Sequence, residues 1–343
     1  MDKSIDKKFC FLVTGGAGSV GLEVLQELHH RGGDYEVRVI DRNIPEVLKK
    51  LAPFRKEFRI FPGNIDNRNL LDECTSGVNA VIHLAAVIPP LADQQPELAR
   101  KVNVEGTRKL IRSVEQNAPG ALFLHASSIS IYGDRVKDPW IRVDDPLLPS
   151  PGDEYAITKI SAEKAVRESQ LDWSVFRLTA ILGPQTRMTP LFFHMPLDTS
   201  LEIATARDTG FAFVEAAGYR DQLAGRTFNL SGGDRCRTSY REFLQRVFTI
   251  MGLKRFDLPP KAFAEHNFHC GYYADAEDLN DILHFQRDTL EDYYRLLESR
   301  QSGIVRYLSS RLHRLIKKSL VRRSDPWEAL RKGWQTEIER YYL

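Results

Sequence analysis

The sequence predicts an α/β fold: a doubly wound parallel sheet, followed by a smaller C-terminal lobe and a helical C-terminal tail. Two observations predict the sheet. Over roughly the first 180 residues, short β-rich apolar runs alternate with amphipathic helical stretches, which is the pattern of a parallel sheet covered on both faces. A glycine-rich turn joins the first apolar run to the first helix. Alternation of this kind implies right-handed crossovers between the strands.

The predicted elements follow one another in a regular order. The strands are predicted at residues 9–13, 36–40, 58–61, 80–85, 121–126 and 173–181. The first helix ends at Gly32-Gly33, because glycine favours a helix stop. A longer helix is predicted over residues 96–117, and another begins near Tyr155 after a loop rich in Pro and Asp.

Composition and charge argue against several classes of function. Hydrophobic residues make up 42% and charged residues 27% of the chain, and the net charge is only +2. This balance gives no reason to expect a nucleic acid as partner. No apolar run approaches the length of a membrane span, and the charged N-terminus lacks the apolar run of a signal peptide. The four scattered cysteines are expected to be reduced thiols, so we predict a cytoplasmic protein.

The glycine-rich turn predicts a dinucleotide site. Gly15, Gly18 and Gly21 have the spacing G-x-x-G-x-x-G directly between a strand and a helix. Glycine is needed there for the tight turn, for the approach of the backbone to a pyrophosphate and for packing of the helix on the strand. The start of the helix, at Ser19 and Val20, supplies free N–H groups to the phosphates. Similar turns also simply join strands to helices, so the glycines alone are weak evidence.

An acidic residue at the end of the second strand strengthens this prediction. Asp41 follows Gly21 by twenty residues, where a carboxylate can accept hydrogen bonds from the adenosine ribose hydroxyls. An acid at this position favours NAD, because it repels the 2′-phosphate of NADP. Arg42, the next residue, can instead pair with such a phosphate. We therefore predict NAD as the cofactor, with NADP as the alternative.

These features set the predicted domain organisation. Residues 1–184 are predicted to form a dinucleotide-binding domain of the Rossmann type. Residues 185–300 are predicted to form a substrate-binding lobe, in which a strand near residues 228–230 returns to the main sheet. Residues 301–343 are predicted to form a basic amphipathic helical tail.

Tyr155 and Lys159 form the predicted catalytic pair. A spacing of four residues places the phenol and the ammonium on one face of a helix. A free phenol has a pKa of about 10, and a fixed positive charge nearby is expected to lower that pKa toward the working range. Ser128, at the end of the fifth strand, supplies a hydroxyl for a substrate oxygen. The same spacing occurs by chance on surface helices, so the prediction depends on the sheet and on Ser128.

Five segments, in this order, carry a resemblance to a known family. They are Thr14-Gly15-x-x-Gly18-x-x-Gly21, His83-Leu84-Ala85-Ala86, Asn103-Val104-Glu105-Gly106-Thr107, Ser127-Ser128-Ile129-Ser130-Ile131-Tyr132-Gly133 and Tyr155-x-x-x-Lys159. Together they resemble the extended short-chain dehydrogenase/reductase family, which includes NAD-dependent sugar epimerases and dehydratases and the 3β-hydroxysteroid dehydrogenases. The resemblance is strong over about residues 8–184 and weak over about residues 200–295.

The resemblance implies a role for each matching residue. Tyr155 would be the acid/base, Lys159 would hold the nicotinamide ribose, and Ser128 would orient the substrate oxygen. Asn103 would join the active-site hydrogen bonds, although a tie between a helix and the neighbouring strand fits it equally well. The other implied cofactor contacts are Asn64 and Ile65 at the adenine, and Leu84, Ala85 and Ala86 along the cofactor. The family usually has Asp where Asn64 stands.

Departures from the family pattern narrow the expected reaction. Sugar-nucleotide dehydratases and decarboxylases usually carry an acid just after the Ser/Thr of strand five, and residues 127–132 contain none. The expected reaction is therefore reversible hydride transfer at a secondary alcohol or ketone, as net oxidoreduction or as epimerisation. Ala180 stands where many sugar-nucleotide members have Asn, and the apolar residues 191–197 fit either a less polar pocket or ordinary lobe packing.

Three functions follow, in order of preference. The first is an NAD(P)-dependent enzyme acting on a sugar or sugar nucleotide. The second is a 3β-hydroxysteroid-dehydrogenase-like enzyme, or another ketone reductase, with a less polar substrate. The third is a dinucleotide-binding sensor without activity, which is disfavoured because such proteins tend to lose the tyrosine and lysine that are present here. A homodimer is expected in each case.

Two further segments have alternative interpretations. His266, His269 and Cys270 are close in sequence but lack a second ligand cluster, so no metal is predicted. Residues 302–323 are expected to form a basic helix with an apolar stripe and no acidic residue. We favour packing of this stripe on the protein or on another subunit over contact with an anionic membrane surface.

Overall fold

The strands of the main sheet are apolar runs that are buried on both faces. The computed structural model describes residues 8–33, 35–184, 186, 189–266 and 270–343. In these residues the strands are β1 (Phe9–Thr14), β2 (Tyr35–Asp41), β3 (Arg59–Pro62), β4 (Ala80–His83), β5 (Leu122–Ser128), β6 (Trp140–Ile141), β7 (Asp172–Leu178), β8 (Ala180–Leu182), β9 (Ser200–Thr205), β10 (Arg226–Leu230), β11 (Arg237–Ser239) and β12 (Tyr272–Tyr273).

The helices cover both faces of the sheet and form most of the C-terminal part. They are α1 (Ser19–Arg31), α2 (Pro45–Leu51), α3 (Arg68–Thr75), α4 (Leu91–Gln94), α5 (Pro96–Ala99), α6 (Thr107–Asn117), α7 (Glu154–Arg167), α8 (Ala206–Glu215), α9 (Arg220–Leu223), α10 (Tyr240–Ile250), α11 (Glu277–Leu283), α12 (Leu290–Ser299), α13 (Gly303–Val321), α14 (Asp325–Lys332) and α15 (Gln335–Tyr342). The helix predicted over residues 96–117 consists of α5, a π-helical turn over Arg100–Gly106, and α6.

The central sheet has the strand order β10-β7-β5-β4-β1-β2-β3, and every neighbouring pair is parallel. From β1 the chain first builds outward to β2 and β3, and then returns to build the other half from β4. The crevice at the carboxyl ends of β1 and β4 is therefore the topological switch point, where α/β sheets bind ligands. The predicted doubly wound parallel sheet is confirmed.

Two apolar layers attach the helices to the sheet. Leu12 and Val13 are consecutive residues of β1, and their side chains enter opposite layers, as the two-residue period of a strand requires. The layer with Val13 includes Val24 of α1 and Phe213 of α8. The layer with Leu12 includes residues of α3, α6 and α7. Both layers position the carboxyl edge of the sheet.

Part of the chain after residue 184 returns to this main unit. β10 is the edge strand beside β7, and α8 lies along α1. Helices α1 and α8 approach closely at Gly210, since a Cβ there would lie 2.7 Å from the Cβ of Glu23. The strand predicted over residues 173–181 is wrong in extent. Thr179 donates its amide to Leu230 and its hydroxyl to the carbonyl of Glu202, and the chain then enters a separate sheet as β8, with β9 and β11.

The C-terminal lobe and tail share one apolar cluster. Phe193 and Leu197 are buried in it, so most of the apolar segment 191–197 is lobe core. Ile316 and Leu320 of α13 pack against the same cluster, whereas other apolar residues of α13 are exposed. One face of α13 therefore packs on the protein as expected, and the other face is exposed in the single chain. None of the described helices is both long and apolar enough to cross a membrane.

Candidate active site

The glycine turn lies at the switch point of the sheet. Gly15 has a φ of +72° and donates its amide to the carbonyl of Ile40, 3.0 Å away. A Cβ at Gly15 would lie 2.8 Å from the amide nitrogen of Ala85, and one at Gly21 would lie 2.3 Å from the carbonyl oxygen of Gly15. Both positions therefore require glycine, as the sequence predicts.

The first turn of α1 opens into the same crevice. Gly18 is the N-cap of this 13-residue helix and offers no side chain to the amides of the first turn. Gly18 and Ser19 are exposed and Val20 is half-buried. The positive end of the helix dipole and its unbonded amides thus form an open cradle that fits a pyrophosphate.

Asp41 is fixed beside this cradle. Its Oδ2 accepts a hydrogen bond from the amide of Ala17 at 2.8 Å, and its Oδ1 accepts one from the amide of Arg42 at 2.7 Å. The carboxylate is half-buried, while Arg42 is exposed. Each carboxylate oxygen has further lone pairs, so Asp41 can still accept hydrogen bonds from ribose hydroxyls. The residues around the turn therefore fit a dinucleotide.

The predicted adenine contacts lie at the end of β3. Asn64 is exposed, whereas Ile65 is buried and would be touched at 2.6 Å by a Cβ at Gly106. The neighbouring Asp66 forms an ion pair with Lys101, 3.0 Å away. The hydrogen bond to Lys101 is the largest influence on the pKa of Asp66 and lowers it. Of the two predicted adenine contacts, only Asn64 has an exposed side chain that can form hydrogen bonds.

A buried chain of hydrogen bonds holds β1 and β4 together below the crevice. The Thr14 hydroxyl is 2.7 Å from His83 Nδ1, and His83 Nε2 is 2.8 Å from the Thr107 hydroxyl. Burial lowers the pKa of His83 to about 3, so the ring is neutral at pH 7. Thr14 also accepts the amide of Ala85 at 3.2 Å. These hydrogen bonds fix the position of the half-buried residues Leu84, Ala85 and Ala86. They were not predicted from the sequence.

Asn103 ties a helix to the loop after β4. Its Oδ1 accepts the amide of Val87 at 2.7 Å, and its Nδ2 donates to the carbonyl of Val87 at 2.9 Å and to the hydroxyl of Thr158 at 3.0 Å. These bonds tie the helix to a loop and to α7, and not to the neighbouring strand that was considered from the sequence. Because Thr158 lies between Tyr155 and Lys159 on α7, Asn103 also positions that helix.

Tyr155, Lys159 and Ser128 lie together at the carboxyl end of β5. The Tyr155 phenol lies close enough to the Ser128 side chain for that side chain to lower its pKa. Lys159 is 3% exposed and donates from Nζ to the carbonyl of Ala126 at 2.8 Å. Its Nζ lies 5.6 Å from the centre of the Tyr155 ring. The three residues that the sequence predicts as catalytic are therefore adjacent.

The protonation of this group differs from the expectation. Burial raises the pKa of Tyr155, and the Ser128 side chain lowers it by less. Lys159 is not among the groups that shift this pKa in the protein alone. Burial lowers the pKa of Lys159 itself to about 8, although the charge of Glu163 opposes this shift. The chain alone thus holds Tyr155 as a neutral phenol.

Two carboxyl groups lie at the N-terminus of α7, beside Tyr155. Asp153 is the N-cap and accepts the amide of Ala156 at 2.8 Å. Asp93 lies near the main chain of Tyr155 and Glu154, which lowers its pKa. Burial raises the pKa of Asp153 to about 6 and also raises that of Asp93. Asp153 has a sequence signal, since it directly precedes a helix. Asp93 has none, because it comes from a distant part of the chain.

The C-terminal tail reaches this same place. Arg340 of α15 lies 3.9 Å from the carboxylate of Asp93, and its Nη2 donates to the carbonyl of Gly152 at 3.4 Å. Its charge lowers the pKa of both Asp93 and Asp153. A small cavity of about 40 Å³ opens here at the start of α7. It is lined by Pro89, Asp93, Ser150, Pro151, Asp153, Leu191, His194, His266, Arg340 and Tyr341.

A second cavity of about 580 Å³ lies away from the predicted residues. It borders the small sheet of β6 and β12, and its lining, like that of the cavity at the start of α7, contains none of the predicted site residues. Its lining carries charges of both signs, since it contains Arg142 and Arg237 together with several carboxylates. In the described residues, which exclude His269, no three His, Cys, Asp or Glu side chains are grouped as metal ligands are. We place the candidate site at the start of α7, because Tyr155, Lys159 and Ser128 lie together there.

The family of the chain can now be stated. The family model described as the NAD dependent epimerase/dehydratase family matches residues 11–197, which is more than half of the chain. The chain belongs to this family. It is accordingly an enzyme of the extended short-chain dehydrogenase/reductase type, and the sequence resemblance is confirmed.

Curated relatives of this epimerase/dehydratase chain include enzymes with different substrates. D-erythronate dehydrogenase of Haemophilus influenzae is 27% identical over 176 residues, which are 50% of this chain and 54% of that protein. The 3 beta-hydroxysteroid dehydrogenase type 7 of Homo sapiens is 29% identical over 173 residues, which are 49% of this chain and 46% of that protein. The chain thus matches about half the length of these relatives.

Solved structures of the family match a larger part of the chain. DesIV, a dTDP-glucose 4,6-dehydratase of Streptomyces venezuelae crystallised with NAD, has a TM-score of 0.70 at 21% identity and covers 85% of this chain and 98% of its own. The UDP-glucuronic acid 4-epimerase of Bacillus cereus, in complex with UDP-glucuronic acid and NAD, has a TM-score of 0.69 at 20% identity and covers 85% and 100%. At this identity the likeness shows the fold.

Proposed function

We propose that the enzyme uses NAD to transfer a hydride reversibly at a secondary alcohol or ketone, with Tyr155 as the acid/base. The observation that carries this proposal is the contact of Tyr155 with Ser128 at the same sheet edge as the glycine turn and Asp41. One crevice then contains the glycine cradle, the acceptor for the ribose, the phenol and the ammonium, as hydride chemistry on a dinucleotide requires.

The chain's own residues have distinct tasks in this proposal. In reduction, the neutral phenol of Tyr155 gives its proton to the substrate oxygen as the carbonyl carbon gains a hydride. In oxidation, the phenolate takes the hydroxyl proton as the carbon loses a hydride. NAD, when bound, supplies the hydride donor or acceptor. Ser128 orients the substrate oxygen, and Lys159 has ammonium protons beyond the one bound to Ala126, which fit a ribose hydroxyl.

We further propose that the substrate is polar and rich in hydroxyl groups, as a sugar derivative is. The cavity at the start of α7 is lined by hydrogen-bonding groups, among them Asp93, Asp153, His194 and Arg340. The alternative of a less polar substrate loses support, because Phe193 and Leu197 are buried in the lobe core. The crystallised relatives with sugar-nucleotide ligands share this fold.

The Tyr155→Phe variant tests this function. We expect it to lose about 10²- to 10⁴-fold in kcat on the best substrate from a panel of sugar nucleotides, sugar acids and sterols, while NAD binding is retained. The matched control is Tyr35→Phe, which removes a hydroxyl from a partly exposed ring outside the site. Full turnover by Tyr155→Phe would refute the acid/base role. A clear preference for sterols would refute the polar substrate but not the hydride chemistry.

A further inference from the structure

Along most of its length, the outward face of α13 is an apolar surface that contacts no other part of the described structure. Ile304 is 74% exposed and Leu315 is 66% exposed, and Leu308 lies between them with about half of its surface exposed. At 100° per residue these three side chains lie within about 40° of one another around the helix. Val305 and Leu312, also about half exposed, extend the same stripe.

The opposite face of α13 is firmly attached to the lobe. Ile316 and Leu320 pack against the lobe core. Lys317 is buried and donates to the carbonyl of Arg255 at 2.8 Å and to the carboxylate of Asp257 at 2.5 Å. The helix is therefore held in a fixed orientation, and its exposed stripe does not result from a loosely attached end.

The stripe is bordered by positive charge. Residues 302–323 contain seven Arg and Lys residues and no acidic residue, although the whole chain carries a net charge of only +2. All of these side chains except Lys317 are exposed. Arg311, Arg314 and Lys318 lie along one edge of the apolar stripe, as their helical spacing requires. The loop that receives Lys317 adds two more exposed cations, Lys254 and Arg255.

The charge decides which occupant fits this surface. Pairing of two copies through the apolar stripe would bring Arg311, Arg314 and Lys318 of both copies together with no acid from α13 between them, which opposes association. An anionic bilayer instead offers hydrocarbon for the stripe and phosphate groups for the bordering cations. We propose that the outward face of α13 docks this enzyme on the surface of anionic phospholipid membranes.

Vesicle flotation with the full chain tests the proposal. Vesicles of phosphatidylcholine alone are compared with vesicles that also contain phosphatidylglycerol, at low and high salt. We expect binding to the anionic vesicles only, and a fall in the partition coefficient of about tenfold or more when salt screens the charges. Failure to bind anionic vesicles, or equal binding to both kinds at every salt concentration, overturns the proposal.

Two sets of variants separate the apolar and the charged contributions. Leu308→Ser with Leu315→Ser removes the stripe, and Arg311→Gln with Arg314→Gln and Lys318→Gln removes the bordering charge. We expect each set to lower the partition coefficient at least about tenfold, with NAD binding and basal turnover unchanged. The matched control is Arg108→Gln with Lys109→Gln and Arg112→Gln, three exposed cations on α6, and we expect no loss of vesicle binding. Equal loss in this control overturns the proposal.

Sedimentation of the soluble protein tests the competing occupant. If α13 joins two copies, Leu308→Ser with Leu315→Ser converts a dimer to a monomer, and the proposal is overturned. We expect the oligomeric state of this variant to equal that of the unaltered chain.

Discussion

Glu163 and Arg177 form an ion pair beneath the candidate active site, with 3.0 Å between Arg177 Nη2 and Glu163 Oε2. Their side chains are 0% and 4% exposed. Glu163 lies one helical turn after Lys159 on α7, and Arg177 lies on β7 and donates to the Tyr132 hydroxyl at 2.6 Å. The pair therefore connects the helix of Tyr155 to the sheet and to the segment that follows Ser128.

Replacing Glu163 with Gln should destabilise the fold strongly, because it leaves the Arg177 guanidinium buried without its counter-charge. We expect a loss of about 3–5 kcal/mol in the free energy of unfolding, measured in urea at pH 7.5. The control is Glu168→Gln, which breaks an exposed pair with Lys164 and should cost less than about 1 kcal/mol. Equal losses in both variants would contradict the importance of the buried pair.

The same variant predicts a pH dependence. Burial would raise the pKa of Glu163, but hydrogen bonds and charge from Arg177 outweigh it and lower that pKa. A lowered carboxyl pKa contributes stability that is present above the unfolded pKa of about 4 and is lost as pH falls through the folded pKa. The stability difference between the unaltered chain and Glu163→Gln should therefore narrow below about pH 4. A difference that stays constant down to pH 3 would argue against this linkage.

Lys159 should limit cofactor binding at alkaline pH. Its ammonium titrates near pH 8, because burial lowers its pKa to about 8. We expect the dissociation constant of NAD to rise about tenfold between pH 7 and 10, because one charged hydrogen bond is lost when Lys159 loses its proton. In Lys159→Met the affinity should be weak at pH 7 and flat over the same range. Titration calorimetry measures both, and a flat profile for the unaltered chain would contradict the contact.

Asp41 should determine the preference for NAD over NADP. Asp41→Asn keeps an oxygen for the amide of Ala17 but removes the charge that repels a 2′-phosphate. We expect NADP to gain at least about tenfold relative to NAD, as measured by the ratio of dissociation constants. Lys56→Gln is the control, since its side chain is exposed, is not a predicted cofactor contact and should leave both affinities unchanged. Tighter binding of NADP than NAD by the unaltered chain would contradict this assignment.

Arg340 should act on substrate binding from the far end of the chain. Arg340→Gln removes the cation beside Asp93 and Asp153 at the cavity. We expect KM to rise about tenfold while the dissociation constant of NAD is unchanged, because the glycine turn lies elsewhere. Arg331→Gln, an exposed position on α14, is the matched control. A parallel loss of NAD affinity in Arg340→Gln would indicate a general structural defect instead.

The sequence predicted the half of the site that comes from local patterns. The glycine turn and Asp41 lie within the β1–α1–β2 unit, so their spacing along the chain identifies them. The spacing of Tyr155 and Lys159 predicted a site only in combination with the sheet and Ser128. The sheet followed from the same alternation. The end of β7 at Leu178 could not be predicted, since the break at Thr179 is caused by Leu230 and Glu202, which are distant in sequence.

The other half of the site depends on long-range contacts. Arg340 reaches Asp93 across most of the chain, and Asp93 of α4 lies near the first residues of α7. The lowered pKa expected for Tyr155 was wrong for a similar reason. The spacing along α7 places Lys159 near the phenol, but it does not show how deeply the fold buries that phenol. Burial then dominates the titration of the phenol.

The close approach at Gly210 has a consequence for building hybrid enzymes. α8 belongs to the second part of the chain in sequence, yet it rests on α1 with no room for a side chain between them. If two parent enzymes are joined at residue 184, α8 of one parent therefore packs against α1, the nucleotide-binding helix, of the other. If a parent enzyme has alanine or a larger residue at this position, its α8 would clash with the α1 of the other parent in the hybrid. A workable exchange unit must take α1 and α8 from the same parent.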